Sequence, residues 1–424
     1  MGVRMVVSYG PGELLRRLHR RRGPVVRAGF GPNRYAYLLG AEANRFVFAN
    51  HDLFAMRPAF AGLVPVDGET SLIVSDGPDH RRRRRLVQPA MHHRQVGHYL
   101  EVMARSADEA IDRWRPGQVV DAYQVFRAAI RASTLRSLFG TRLAGETDFF
   151  GEHLQALLDL VDRLPDAVRA HRALRTPVWR RAMRARAIVD ERIHEEIARV
   201  RSGDADDGDQ VLAVLVRGRD DGGLSDQEVR DQAVTLIAAG YETTSAAMAW
   251  AVRALLTHVA VRERAVDEVR SAEGPPDPDR LPYLRAVVAE TLRLYPPAVV
   301  SARHVVHGFE FAGVPVRAGS TLLYSPYVTH RDPDVYRDPL EFRPERWLPD
   351  APGYRKMGPH EFVPFGGGPH RCIGSTMATT ELTVMLARLL DRAELRLLPG
   401  RVRPTGFAAM RPRNGLPVEI SSVS

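Results

Sequence analysis

The helix expected to start at Leu224 is apolar from Val229 to Leu256 with few charges, and this stretch limits the possible folds more than any other. It opens with Ser225 and Glu228 at the spacing of a capping box, the usual start of a helix. A helix that is apolar on all sides has no face to offer water, so it has to lie centrally in a protein. Glu242 interrupts the run and no second long apolar segment accompanies it, which argues against membrane insertion. The expectation is a mainly α fold with small β-sheets (α+β), arranged about this helix.

An apolar fraction of 44% and a charged fraction of 26% are those of a folded globular chain. A single cysteine, Cys372, excludes an intrachain disulfide framework and any four-cysteine metal cluster. Residues 1–23 hold only short apolar runs broken by arginines, too short for a span or a signal segment, so the expected location is cytoplasmic. The net charge is +9 and the isoelectric point about 10.0, nearly all of it arginine, because Lys356 is the only lysine. Such a balance suits nucleic acid, an acidic partner protein or an anionic cofactor, and placement has to decide among them.

Local patterns fill in the chain. Residues 25–30 and 34–39 predict a hairpin across Gly31-Pro32-Asn33, followed by a helix over 41–49. Met56 to Ile73 predicts irregular chain whose apolar residues Phe60, Leu63 and Val64 pack inward or line a pocket. A helix is expected after Asp79, read as its N-cap. His80 and Arg84 on it are four residues apart and share a face, whereas the whole run Arg81 to Arg85 could equally be a solvated or nucleic-acid-binding surface. Residues 96–201 read as amphipathic helices broken at Pro116-Gly117, Gly140, Pro165 and Pro177. Residues 201–223 read as exposed loop around a short helix, 211–216. Another apolar helix is expected over 282–295. After Pro296-Pro297 the period becomes two, predicting strands over 299–306, 309–316 and 320–328. The last helix is expected to run on to Leu397, and the tail around Phe407, Met410 and Leu416 to form a hairpin.

Three places break local rules or concentrate reactive groups. Inside the long helix, Ala239-Gly240-Tyr241-Glu242-Thr243-Thr244 combines a mid-helix glycine, two threonines and a carboxylate. The glycine alone costs about 1 kcal/mol relative to alanine. Either this is a kink with a threonine bonded back to a carbonyl, or Gly240 makes room for a small ligand, Thr243 bonds it and Glu242 relays protons. Glu290 and Arg293 lie three apart on an apolar helix, a pairing that means little on a surface and needs further partners if buried. Finally, Phe365-Gly366-Gly367-Gly368-Pro369-His370-Arg371-Cys372-Ile373-Gly374 places the only thiol where a glycine-rich loop turns into a helix, a setting that favours thiolate.

The last segment resembles the haem-thiolate loop of the cytochrome P-450 family. Ala239 to Thr244 resembles that family's oxygen-activation motif, with Glu242 where many members carry Asp. Glu290, Arg293 and Arg346, the last in Pro344-Glu345-Arg346-Trp347, resemble its structural triad. With His80 and Arg84, these motifs occur in the family's order over most of the chain. The resemblance implies residues 1–424 as one domain, with a β-rich part over about 24–60 and 297–330. It implies haem b with Cys372 as axial iron ligand and with His80, Arg84, Arg303 and His370 as propionate partners. Glu242 and Thr243 would then be the oxygen-activating pair.

O2 would be cosubstrate, and electrons would come from NAD(P)H through a ferredoxin and its reductase, or a flavodoxin-type donor. With about fifty residues after Cys372, no fused flavin domain is expected. The implied reaction inserts one oxygen atom into a hydrophobic small molecule. Phe60, Leu63, Val64, Ala239, Val299, Val300 and Phe407 are candidates to line its pocket, each as readily core. A haem-thiolate peroxygenase or an isomerase or dehydratase shares the cysteine loop, and Glu242-Thr243 weighs against both. A basic nucleic-acid binder built on Arg81 to Arg85 is the distant third reading, and no membrane span is expected.

Overall fold

The computed structural model describes residues 10, 12–31, 33–140, 142–161, 165–203, 210–216 and 222–424. Pro32 of the predicted turn, residues 1–9 of the N-terminal stretch and much of the expected 201–223 loop lie outside them. Helices predominate and the strands are few and short. The chain divides into two compact units. One comprises residues 1–55, 103–127 and 243–424, the other 56–102 and 128–242.

Among the described residues, the first unit holds every strand. β1 (Val25–Ala28), β2 (Tyr35–Leu38), β3 (Phe54–Ala55), β5 (Ser301–Val305) and β8 (Thr321–Tyr324) form one sheet in the order β1-β2-β8-β5-β3. Only β2 and β8 run parallel, with Tyr35 opposite Thr321. β4 (Val119–Asp121) and β9 (Ala393–Leu397) flank β12 (Pro417–Val423). β6 (Phe309–Phe311) with β7 (Val314–Val316), and β10 (Pro404–Thr405) with β11 (Arg411–Pro412), are separate hairpins. Alternation along β2 and β8 sends Ala36, Leu38, Leu322 and Tyr324 into a core with Val47, Phe48 and Val305, and Val363 joins it from the approach to the cysteine loop.

In the second unit the long helix begins at Asp226 with the expected cap. The Glu228 N–H donates to Ser225 Oγ at 3.2 Å and the Ser225 N–H donates to the Glu228 carboxylate at 3.0 Å. The helix runs Asp226–Thr257, and the boundary between the units falls within it, after Glu242. No single described helix is long and apolar enough to cross a membrane. The bent pair Asp226–Thr257 and Val259–Ser271 passes only by length and composition, and most of the long helix is buried in the protein.

Several boundaries differ from expectation. The helix expected after Asp79 starts at Gly77. Asp76 holds the cap position but uses its carboxylate elsewhere, accepting the N–H groups of Met56 (2.7 Å) and Arg57 (3.0 Å). The last helix stops at Arg392, because Ala393 to Leu397 pairs with β12 as a strand. The strand expected through Val328 ends at Tyr324. Pro326 then opens a helical turn with Ser325 Oγ accepting the Val328 N–H at 3.3 Å.

Candidate active site

The cysteine loop is built by close packing. Gly366 and Gly368 both have φ of +66°, a left-handed conformation that side chains rarely adopt. Gly367 has an ordinary φ, but a Cβ there would lie 2.4 Å from the Phe48 ring. Two of the three glycines thus set the turn and the third lets the backbone lie against Phe48, which meets Tyr324 edge-on at 5.3 Å. The Cys372 N–H donates to the Phe365 carbonyl at 2.9 Å and closes the loop. Cys372 is exposed, His370 half-buried, and the Ser375–Arg392 helix begins three residues after the thiol.

Arg303, on β5, reaches the same neighbourhood. Its guanidinium lies 5.3 Å from the centroid of Tyr324, whose hydroxyl is the nearest atom to a Cβ placed on Gly366, at 3.1 Å. Arg303 is buried and donates to the Ala302 carbonyl at 2.7 Å, and no carboxylate among the described residues pairs with it. A buried cation without an acid is expensive unless an anion is supplied from elsewhere. That feature fits an anionic cofactor beside the cysteine loop.

Behind the loop the structure brings Glu290, Arg293 and Arg346 together, with Glu290 and Arg293 wholly buried. Arg293 forks onto both Glu290 oxygens at 2.8 Å and spends its remaining donors on the carbonyls of His330 (2.7 Å), Pro339 (2.7 Å) and Glu341 (2.8 Å). All five donors are used, which offsets the desolvation of the charge. Glu290 also accepts from Arg346 Nε at 3.0 Å, Trp347 Nε1 at 2.9 Å and the Arg343 N–H at 2.8 Å. Burial opposes its charge, but these donors, Arg293 first, hold its carboxyl below the ordinary range. His330, which the sequence did not single out, joins this network to the loop. Its Nδ1 donates to the Arg293 carbonyl at 3.1 Å, and its Nε2 accepts the Val363 N–H at 2.9 Å. Burial and the Arg293 charge keep it neutral, well below the usual histidine range. Tyr324 and Phe48 were likewise missed, since their roles rest on contacts remote in sequence.

In the second unit His80 is buried and Arg84 half-buried on the Gly77–Val87 helix. Burial, then the Arg84 charge, lowers His80 to about 4, so its imidazole is neutral at physiological pH. The arginine run does not act as one face. Arg82 and Arg83 both pair with Glu228, and Arg83 also donates to Ser75 Oγ at 2.9 Å, leaving Arg81 and Arg85 as the exposed members.

The Asp226–Thr257 helix is buried along most of its middle, with a local opening. Leu236, Gly240 and Thr243 are half-buried and Ala239 is exposed, an i, i+3, i+4, i+7 stripe. Glu242 is half-buried and Tyr241 wholly buried. A Cβ on Gly240 would meet only Thr134 Cγ2, at an ordinary 3.8 Å. Protein packing therefore does not require glycine here, although the helix disfavours it. The stripe is open to a ligand.

The pocket candidates separate. Phe60, Leu63 and Val64 are half-buried, with Val64 opening the short helix Val64–Asp67. Val299 is wholly buried. Its N–H donates to the Phe407 carbonyl at 2.9 Å and its own carbonyl accepts from Ser325 Oγ at 2.7 Å. Val300 packs against the core cluster of Leu15, Leu39 and Val328, and Phe407 is 42% exposed.

A family model described as Cytochrome P450 matches residues 4–416. The chain belongs to the cytochrome P450 family. It is 52% identical, over 98% of both chains, to cytochrome P450 139 of Mycobacterium tuberculosis. It is 36% identical to the cyclooctat-9-en-7-ol 5-monooxygenase of Streptomyces melanosporofaciens, over 89% of this chain and 84% of that one. It is 30% identical to the pentalenene oxygenase of Streptomyces avermitilis, over 92% and 88%. A retinoic-acid-bound cyanobacterial CYP120A1 has the same fold, with a TM-score of 0.86 at 26% identity over 99% of this chain and 96% of that one. This cytochrome P450 is a haem-thiolate monooxygenase, an oxidoreductase that incorporates oxygen from O2 with electrons from a redox partner. These relatives, named as monooxygenase and oxygenase, lend nothing to the peroxygenase or isomerase readings.

Proposed function

We propose that Cys372 is the axial ligand of haem b, with His80, Arg84, Arg303 and His370 as partners for its propionates. The observation that carries this reading is the buried Arg303, without a carboxylate partner among the described residues and packed on the Tyr324 that supports the cysteine loop. When bound, haem would supply the oxidising chemistry for O–O cleavage, and a thiolate ligand from Cys372 would favour it. The chain's own part is to hold, to exclude water and to deliver protons. Thr243 offers a hydroxyl on the open stripe and Glu242 a carboxylate beside it, the pair read as the proton route. Glu290, Arg293 and Arg346 hold the backbone behind the cysteine loop, and His330 transmits that order to Val363.

The whole chain is read as one functional domain. Its β-rich part, over about 24–60 and 297–330, presents Arg303. We read the enzyme as cytoplasmic, with electrons from NAD(P)H through a ferredoxin and its reductase, or a flavodoxin-type donor. The names of the Streptomyces relatives support a terpene-like hydrocarbon or alcohol as substrate. Phe60, Leu63, Val64 and Ala239 are the better-placed lining candidates, and spectral shifts over a panel of such compounds would identify the ligand class. The deciding experiment is Cys372→Ala. The reduced carbon-monoxide complex should lose its red-shifted Soret band, and survival of that band in the variant would overturn the assignment.

A further inference from the structure

Residues 65–72 are tied to two helices of the second unit by side chains. Among the described residues, the backbone–backbone hydrogen bonds of residues 60–75 reach no further than Met56. At one end, Arg186 donates to the Pro65 carbonyl at 2.8 Å and Arg230 to the Val66 carbonyl at 3.3 Å. At the other, Asp231 accepts the Thr70 N–H and hydroxyl at 2.9 and 2.7 Å. Gln232 accepts the Leu72 N–H at 3.1 Å and donates to the Thr70 carbonyl at 2.8 Å. Arg186 belongs to the Pro177–Arg201 helix and the other three to Asp226–Thr257. A Cβ on Gly68 would run into the Asp231 carboxylate, so the segment lies close against that helix.

Asp67 sits in the middle of this segment, buried, and its carboxyl receives no hydrogen bond among the described residues. Arg186 faces it from one helix, and Arg230 and Asp231 from the other. Asp190 pairs with both arginines, accepting from Arg230 Nε at 2.7 Å and Arg186 Nε at 3.2 Å. Arg230 also donates to Asp231 at 3.0 Å, so its donors are committed. The remaining charges nearby are engaged too. Glu69 pairs with Arg57, Asp76 accepts the Met56 and Arg57 N–H groups, and Glu228 pairs with Arg82 and Arg83. Three carboxyl groups thus share two guanidiniums, and the cluster is neutral only while one carboxyl keeps a proton. Asp67 is the one without donors, and burial, ahead of the Arg230 charge, pushes it up to about 7.

We propose that residues 65–72 form a detachable strap, closed on the two helices while Asp67 is protonated and released from them when it ionises. Release breaks side-chain bonds only, so the strap can leave as a piece while the helices stay intact. It carries Phe60, Leu63 and Val64 at its leading edge, and release would open the way to the substrate. That last point rests on the reading of these three residues as pocket lining. A carboxyl that binds its proton more tightly in the closed form makes closure weaker as pH rises from about 4 to about 7, with a plateau above.

The test follows hydrogen exchange of the full-length, haem-loaded enzyme at about pH 6 and about pH 8, corrected for intrinsic rates. Exchange in residues 65–73 should be about tenfold faster at the higher pH. Asp67→Asn cannot ionise and should stay equally protected at both. Entry of clotrimazole, a bulky azole read by its Soret shift, should quicken about tenfold over the same range in wild type relative to the variant. The proposal is overturned if wild-type protection is the same at both pH values or if Asp67→Asn loses protection as wild type does. It is also overturned if residues 147–161 accelerate in parallel, because the effect would then be global. A strap that opens with pH while azole entry does not change would uphold the strap and refute the pocket reading of Phe60, Leu63 and Val64.

Discussion

Asp67 has the clearest pH signature of any single residue here. It is buried beside Asp231, Arg230 and Arg186, and burial, which outweighs the Arg230 charge, pushes its carboxyl up to about 7. Its neighbours are committed elsewhere. Asp231 accepts from the Thr70 N–H and hydroxyl at 2.9 and 2.7 Å, and Arg186 donates to the Pro65 carbonyl at 2.8 Å. A carboxyl whose folded pKa lies above its unfolded value binds more protons when folded, so stability falls as pH rises from about 4 to about 7. Asp67→Asn should therefore gain more than about 1 kcal/mol over wild type at pH 8 and little at pH 4, read from denaturant midpoints at both pH values. If the two proteins differ equally at both pH values, titration of Asp67 is not the cause. Gly240→Ala separates stability from function in the same way. The variant should melt higher, by up to about 1 kcal/mol of added helix stability, because the new methyl meets only Thr134. It should also lose substrate turnover per electron consumed. The rule-breaking glycine was legible in the sequence, whereas the buried state of Asp67 was not, since its neighbours Arg186, Arg230 and Asp231 are remote in the chain.

At the scale of elements, the helices and the β1–β2 hairpin were readable because each carries its own period and punctuation. The Ala41–Ala49 helix and the Ser225 cap follow directly. The failures were at ends set by partners. Ala393 to Leu397 continues an apolar run and becomes a strand only because β12 is beside it. β4 was not expected at all, as three residues after a Pro-Gly turn carry too little pattern. The Glu290 network shows how much one element can organise. Glu290→Ala would leave the buried Arg293 guanidinium without its counter-charge, and a loss of about 3 kcal/mol or more is expected. Hydrogen exchange should rise first in residues 337–347, whose backbone Arg293 and Arg346 hold, while β2 and β8 stay protected. Uniform deprotection would show instead that the network acts on the unit as a whole.

At the scale of the whole molecule, charge is the property that the full chain shares. A net +9 should speed encounter with an acidic electron donor, so kcat/KM for a ferredoxin should fall several-fold between about 20 and about 200 mM salt. A salt-independent rate would mean that steering is not electrostatic. The sequence by itself determined the family's motifs, the central helix and the single thiol, because these depend on residue type and short spacing. The tertiary structure decided what those residues meet. It put Phe48 under the glycine loop, Tyr324 beneath Arg303, His330 between Arg293 and Val363, and Glu228 against Arg82 and Arg83. These partners lie tens to hundreds of residues away. Long-range partners are selected by packing and by the need to pair buried charge, and a linear pattern carries neither.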